Sequence, residues 1–193
     1  MLKKQMEQYM IDNARNGSIE LFEVEKEYAE KHQLLSSDIE VSAKDFQSRL
    51  IERCNKETED VIQTEGPSFL KEKVSFLKSQ QEEFVYTEAD DFELIGVDAV
   101  ALEFDDVFET YTALFGLKLQ KKFGPTIKAY LEAHLQGDGV KYSVMFSGED
   151  GLWDMNFALD FIEGFNEEQS FEEVNGLIYQ FVFKLVDSIE QAQ

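Results

Sequence analysis

Few side chains in this sequence are of a kind that does covalent chemistry. There is one cysteine, Cys54, and there are two histidines, His32 and His134. A thiol nucleophile needs a base within reach. Cys54 stands beside Leu50 and Ile51 on an apolar stripe, which marks it as a small core residue. His32 closes a charged segment, and His134 lies between Ala133 and Leu135. Neither histidine has a second histidine at i+4, the spacing of metal-binding helices.

Carboxylates are the abundant reactive type. Asp90-Asp91-Glu93, Asp105-Asp106 and Asp154 with Asp160 are the groupings that could pair for acid–base work or hold Mg²⁺ or Ca²⁺. The run from Asp154 resembles a calcium loop in its Asp/Asn spacing, but Leu159 occupies the sixth position where that loop needs glycine. Read as one extended strand, 92–104 separates Asp90-Asp91 from Asp105-Asp106 by roughly 45 Å. They form one site only if the chain folds back near Gly96. Turn and cap positions, on a solvated acidic surface, are the expectation for Asp90, Asp91, Asp105 and Asp106. No G-x-G-x-x-G, Walker or G-x-S-x-G pattern occurs. Lys118, Lys121 and Lys122 make a small basic cluster, read as a solvated helix end.

These residues must be held by elements, and the clearest element is a hairpin. Val140, Tyr142, Val144 and Phe146 alternate with polar neighbours, as do Trp153, Met155, Phe157, Leu159 and Phe161. Ser147-Gly148-Glu149-Asp150-Gly151 joins the two runs. Period-two apolar residues around a glycine-containing loop predict an antiparallel hairpin with one buried face, over 140–147 and 152–162. Further strands are predicted at 83–88 and 92–104, the latter bent or bulged at Gly96. Residues 106–122 read either as a helix capped by Asp105 or Asp106, or as a strand over TALFGLKL. Pro125 starts a helix carrying Ile127, Tyr130, Leu131 and Leu135. Ser170 with Glu173 forms a capping box ahead of Val174, Leu177, Ile178, Phe181, Val182, Leu185 and Ile189, the longest apolar stripe of the chain.

The first 81 residues read as helices: 2–15, stopped by Asn16-Gly17; 18–32; a third from Ser42 or Asp45 to about Val61; and a short fourth after Gly66-Pro67. The expectation is one α+β domain over 1–193, with a helical N-terminal part (1–81) and a small, mostly antiparallel sheet packed by helices (82–193).

The chain has 193 residues and a net charge of −22. Glu82 to Thr110 holds 11 acids and no Lys or Arg, and Tyr142 to Phe183 holds 9 acids and no base. Tyr111 to Lys141 has 5 lysines against 2 acids. Nucleic acid and anionic membrane are unfavourable partners for such a surface, because both are bound through Lys and Arg. No apolar run approaches the ~20 residues of a membrane span, and the polar N-terminal stretch lacks the apolar core of a signal peptide. One cysteine excludes an internal disulfide. A cytoplasmic setting is expected.

Residues 92–111 (FELIGVDAVALEFDDVFETY), 117–124 (LKLQKKFG) and 148–157 (GEDGLWDMNF) resemble a family of short acidic cytosolic proteins from Gram-positive bacteria. The resemblance runs through most of the chain and implies a bacterial cytosolic protein. Members sometimes carry the label branched-chain amino acid aminotransferase. That activity belongs to a larger two-domain enzyme with pyridoxal phosphate on a lysine and a backbone cradle for its phosphate. No lysine here has that context and no glycine-rich phosphate loop is present, so no catalytic residue maps and no cofactor is expected. The reading is a non-catalytic interaction protein, meeting a basic protein or another copy of itself. The alternative is a small-ligand binder or enzyme with a pocket between sheet and helices, lined by Trp153, Tyr130 and Tyr142.

Overall fold

The computed structural model describes residues 2–192. Helix α1 (Leu2–Asn13) is followed by β1 (Ser18–Leu21), α2 (Glu23–Lys31), β2 (Glu40–Ala43), β3 (Leu50–Asn55) and β4 (Val61–Thr64). After a 3-10 turn at Pro67–Lys71 come α3 (Phe76–Ser79), β5 (Glu83–Glu88), α4 (Asp90–Leu94), β6 (Ala99–Asp105) and β7 (Thr110–Leu117). The chain ends with α5 (Gly124–His134), β8 (Tyr142–Ser147), β9 (Leu152–Ala158) and α6 (Phe171–Gln191). The fold is α+β. Seven strands form one antiparallel sheet in the order β4-β3-β5-β6-β7-β9-β8, and β1 and β2 pair in parallel beside it.

The hairpin, the 83–88 strand, α5 and the capped C-terminal helix lie where the spacing puts them. The Ser170 hydroxyl accepts from the Glu173 N–H while the Glu173 carboxylate accepts from the Ser170 N–H, so two free donors of α6 are satisfied. The second hairpin strand ends at Ala158, and Leu159–Phe161 forms a 3-10 turn. The choice left open over 106–122 falls to the strand for 110–117. Asp105 does not cap a helix: its carboxylate accepts from the N–H groups of Val107 and Phe108 at 2.9 and 3.0 Å, and so turns the chain into β7.

The region 1–81 departs furthest from expectation. The N-terminal helix is present and α2 lies within the helix expected at 18–32, but β1 and β3 occupy stretches read as helix, and 18–64 holds four strands where none was expected. Asn16 and Gly17 take positive φ (52° and 79°) and stop α1 as expected, yet Ile19 and Leu21 then alternate as strand residues. Residues 50–55 fit a helical stripe through Leu50, Ile51 and Cys54, but β3 pairs with β5 along its whole length, from Leu50↔Glu88 to Asn55↔Glu83. Tertiary pairing overrides a period that six residues cannot fix. The single strand expected at 92–104 is instead α4 and β6, separated by Gly96 at φ +76°. At the sheet margin, β4 is short and exposed throughout, with its register shifted between Arg53 and Cys54.

One face of the sheet is covered. Ile51, Val85, Val100, Leu102, Phe104, Ala113, Phe115, Met155, Phe157 and Trp153 are buried there, against α6 and its neighbours. Phe171 at the start of α6 stacks on Phe69, with ring centroids 5.1 Å apart. Leu2 and Met6 of α1 close the same core. Trp153 fits a tight space: a Cβ at Gly124 would come within 2.5 Å of its ring. Gly124→Ala is therefore expected to cost about 1–3 kcal/mol by overpacking, although alanine is the better helix former. Urea unfolding of the variant measures this, and an unchanged or higher midpoint would refute the packing argument.

Candidate functional site

The opposite face of the same sheet has no helix upon it among the described residues. The pairing register sets out its residues in rows. Cys54, Phe84, Glu103, Thr112 and Ala158 make one row; Glu52, Tyr86, Ala101, Leu114, Asn156 and Ser143 the next; Leu50, Glu88 and Ala99 run toward Gly116, Asp154 and Met145. Phe84, Tyr86, Ala101 and Leu114 are half-buried by their neighbours alone, and Met145 is 66% exposed. Glu52, Glu88, Glu103 and Asp154 are the charges among them. The seven strands hold one basic residue, Arg53, and its pairing with Val85 puts it on the covered side. Burial, with the nearby Glu88, Glu52 and Asp98 carboxylates, pushes the Tyr86 phenol above its usual range. Burial likewise raises Glu103, against the opposing pull of Lys56. Desolvation leads both shifts, and only for Tyr86 do several neighbouring carboxylates add to it.

The two acidic stretches are not left wholly uncompensated, because bases from 44–78 fold against them. Arg49 binds Glu88, Asp90 and Glu93; Arg53 binds Glu83 and Glu65; Lys73 and Lys78 reach Glu168 and Glu167. Asp90 and Asp91 lie at one end of β6 and Asp105 and Asp106 at the other, so about 20 Å of strand separates the pairs. Asp90 and Asp106 are exposed and Asp105 half-buried. Asp91 is not a surface acid. It is 7% exposed and paired with Lys44.

Around Lys44 lies a polar cluster that no local sequence pattern announces. The ammonium binds Asp91, donates to the Tyr9 hydroxyl at 2.8 Å, and lies 5.2 Å from the centre of the Phe22 ring. Behind it Glu25 is fully buried, accepting from the Tyr179 hydroxyl at 2.5 Å and from the Phe22 N–H at 2.9 Å. Burial raises the carboxyls of Glu25 and Asp91, while Lys44 works to lower both. In Lys44 itself burial is outweighed by Glu25 and Asp91, and its affinity for a proton rises. An ammonium held protonated is no nucleophile or base at neutral pH. The cluster's evident work is to tie α2, α4, α6 and the irregular segment 44–49 together. Above it opens a cleft of about 670 Å³, with Arg15, Ser42, Asp45 and Arg49 on its walls.

Trp153, Tyr130 and Tyr142 each have partners of their own. Trp153 packs on Phe146 and reaches the Gln120 carbonyl at 3.4 Å. The Tyr142 hydroxyl donates to Glu132 at 2.9 Å. Tyr130 alone borders a cavity, between α5 and α6. Cys54 is buried, in a strand rather than a helix, and burial raises its thiol, which makes it inert. His32 stacks on Tyr28 and His134 on Tyr130, with centroids 4.1 and 4.0 Å apart. Lys118 pairs with Asp98, while Lys121 and Lys122 lie over the Phe146 and Phe123 rings, so the three lysines form no common anion site. No group of His, Cys, Asp or Glu among the described residues is arranged to hold a metal ion, and no helix is long and apolar enough to cross a membrane.

No protein-family model matches the chain, and neither a curated protein nor a solved structure is similar to it.

Lys44→Met should cost about 3 kcal/mol, since it leaves Asp91 and Glu25 without their cation, and Tyr179→Phe about 1–3 kcal/mol. The pH dependence carries its own sign. Glu25 keeps its proton more tightly folded than unfolded, so above its ordinary value of 4.5 the folded chain binds more protons. Its contribution therefore falls as pH rises from 4.5 through the raised folded value. Urea midpoints across that range should fall less steeply for Glu25→Gln than for the wild type; parallel slopes would remove Glu25 as the source.

Proposed function

We propose that this is a non-catalytic interaction protein that docks a basic protein partner on the uncovered face of its sheet. One observation carries the reading: a sheet face with Met145 exposed and Phe84, Tyr86 and Leu114 half-buried among Glu52, Glu88, Glu103 and Asp154, whose strands contribute no Lys or Arg to it, Arg49 and Lys56 reaching only Glu88 and Glu103 from outside the strands. A partner would complete the burial of Phe84, Tyr86 and Leu114 and cover the exposed Met145. Its charge selects the partner. Two copies meeting face to face would set the same carboxylates against each other, and like charges across an interface cost several kcal/mol. A surface rich in Arg and Lys with an apolar centre would be complementary, and its approach would be hastened by the net charge of −22. We place this activity in the bacterial cytosol, on the family resemblance of 92–111, 117–124 and 148–157.

The cluster around Lys44 supports a structural reading there, since its ammonium is held between Asp91, the Tyr9 hydroxyl and the buried Glu25. Pyridoxal phosphate chemistry has no candidate lysine in either the sequence pattern or this cluster.

The test is capture from bacterial lysate at low and high salt, with the wild-type chain and a Glu52→Lys/Asp154→Lys pair. The complex should weaken sharply with added salt, and the charge-reversed pair should bind about tenfold less well. Association that is absent, salt-insensitive or equally strong in the reversed pair would overturn the proposal. Sedimentation of the isolated chain at low salt should show a monomer.

A further inference from the structure

We propose that the groove between α5 and α6 is a binding site for a small carboxylic acid with an apolar body. The groove encloses about 350 Å³, within the range of small-ligand sites. Its floor is apolar: Tyr130, Ile162 and Phe181 are buried and Leu177 half-buried. At its margin stand Lys184, His134, Gln180 and a single carboxylate, Glu163.

The polar groups are arranged for an acid. His134 Nδ1 lies 2.8 Å from the Tyr130 carbonyl oxygen. A carbonyl only accepts, so Nδ1 is the protonated nitrogen and Nε2 carries the lone pair. Stacking on Tyr130, at 19° between the ring planes, fixes the imidazole. In the protonated ring both nitrogens donate, so Nδ1 keeps the Tyr130 carbonyl while Nε2 offers its N–H to a bound carboxylate. Lys184 supplies a permanent charge from the adjacent helix, and the Gln180 amide a neutral donor. A benzyl-sized or branched body would lie on Tyr130 and Phe181, away from water.

The distribution of charge agrees. Residues 111–141, which include α5, carry 5 lysines against 2 acids, and Lys184 follows the base-free stretch that ends at Phe183. An anion excluded from the acidic sheet face is tolerated here, on the helical side of the molecule. The site is independent of the docking surface proposed above.

The full chain would be titrated with phenylacetate and, as an uncharged control of similar size, 2-phenylethanol, followed by calorimetry and by amide shifts in α5 and α6. Saturable binding of the acid at millimolar concentration is expected, with little or none for the alcohol. Lys184→Ala should weaken the acid about tenfold, His134→Phe, which keeps the stacked ring, should weaken it also, and Glu163→Gln should tighten it. Acid and alcohol binding alike, no saturable binding of either, or an affinity indifferent to Lys184→Ala would overturn the proposal. The comparison of the two ligands uses the wild-type chain, so it holds whatever the variants do to folding.

Discussion

Everything in this molecule follows from a shortage of cover. Seven antiparallel strands present two faces, but the chain makes only one long apolar helix, α6, with short helices to assist it. All of them lie on the same side. Burying Phe104, Phe115, Phe157 and Trp153 under that layer supplies the driving force for folding, since removal of apolar surface from water is its main source. The second face is stable uncovered because its composition is different. Small and polar residues such as Ala101, Thr112, Asn156 and Ser143 alternate with the larger ones, and carboxylates keep it wet. An antiparallel sheet permits this asymmetry where a parallel one would not.

The charge distribution is solved by the same folding. Segments that look uniformly acidic along the chain are brought against Arg49, Arg53, Lys73 and Lys78 from a region far earlier in sequence. Most of these pairs lie at the surface and add little individually. The Lys44 cluster differs, because Glu25 is wholly buried and Asp91 nearly so. Removing charge from water is costly, and the arrangement is tolerable only because Tyr9, Tyr179 and the Phe22 N–H complete the hydrogen bonding. What remains after all this pairing is a molecule with its excess of negative charge on the uncovered sheet and its loops, and its few spare bases around α5.

The parts legible in the sequence were those whose signal is local. The 147–151 loop between two alternating runs, the Ser170–Glu173 capping box and Pro125 at the head of α5 each state their structure within a few residues. The parts that misled are those decided by partners elsewhere. Ile51 and Cys54 read as a helical stripe because six residues cannot distinguish the two periods, and only pairing with β5 settles it. Phe92 and Leu94 read as strand because an all-apolar run is ambiguous, and the turn at Gly96 divides it. The open sheet face was invisible for a related reason: half-buried Phe84, Tyr86 and Leu114 look like core until it is known which face the helices chose. Glu25 gave no signal at all, since a carboxylate three residues into a helix is ordinarily a solvated capping group. Trp153, Tyr130 and Tyr142 have partners in distant segments, Trp153 on Phe146, Tyr142 on Glu132 and Tyr130 beside the cavity between α5 and α6, and no local pattern assigns such partners.

The edge made by β4 has a bearing on how such a molecule survives at high concentration. An unpaired strand is a template on which another chain can add, and a wide sheet with one bare face is the architecture most exposed to that hazard. Here the last strand is four residues long and its ladder is dislocated beside Arg53. The turn that feeds it carries Glu57, Glu59 and Asp60. A newcomer would find few aligned amides and a screen of like charge. Polymerisation is thus discouraged at the β4 margin, which leaves the neighbouring interior of the bare face free to remain apolar enough to be useful.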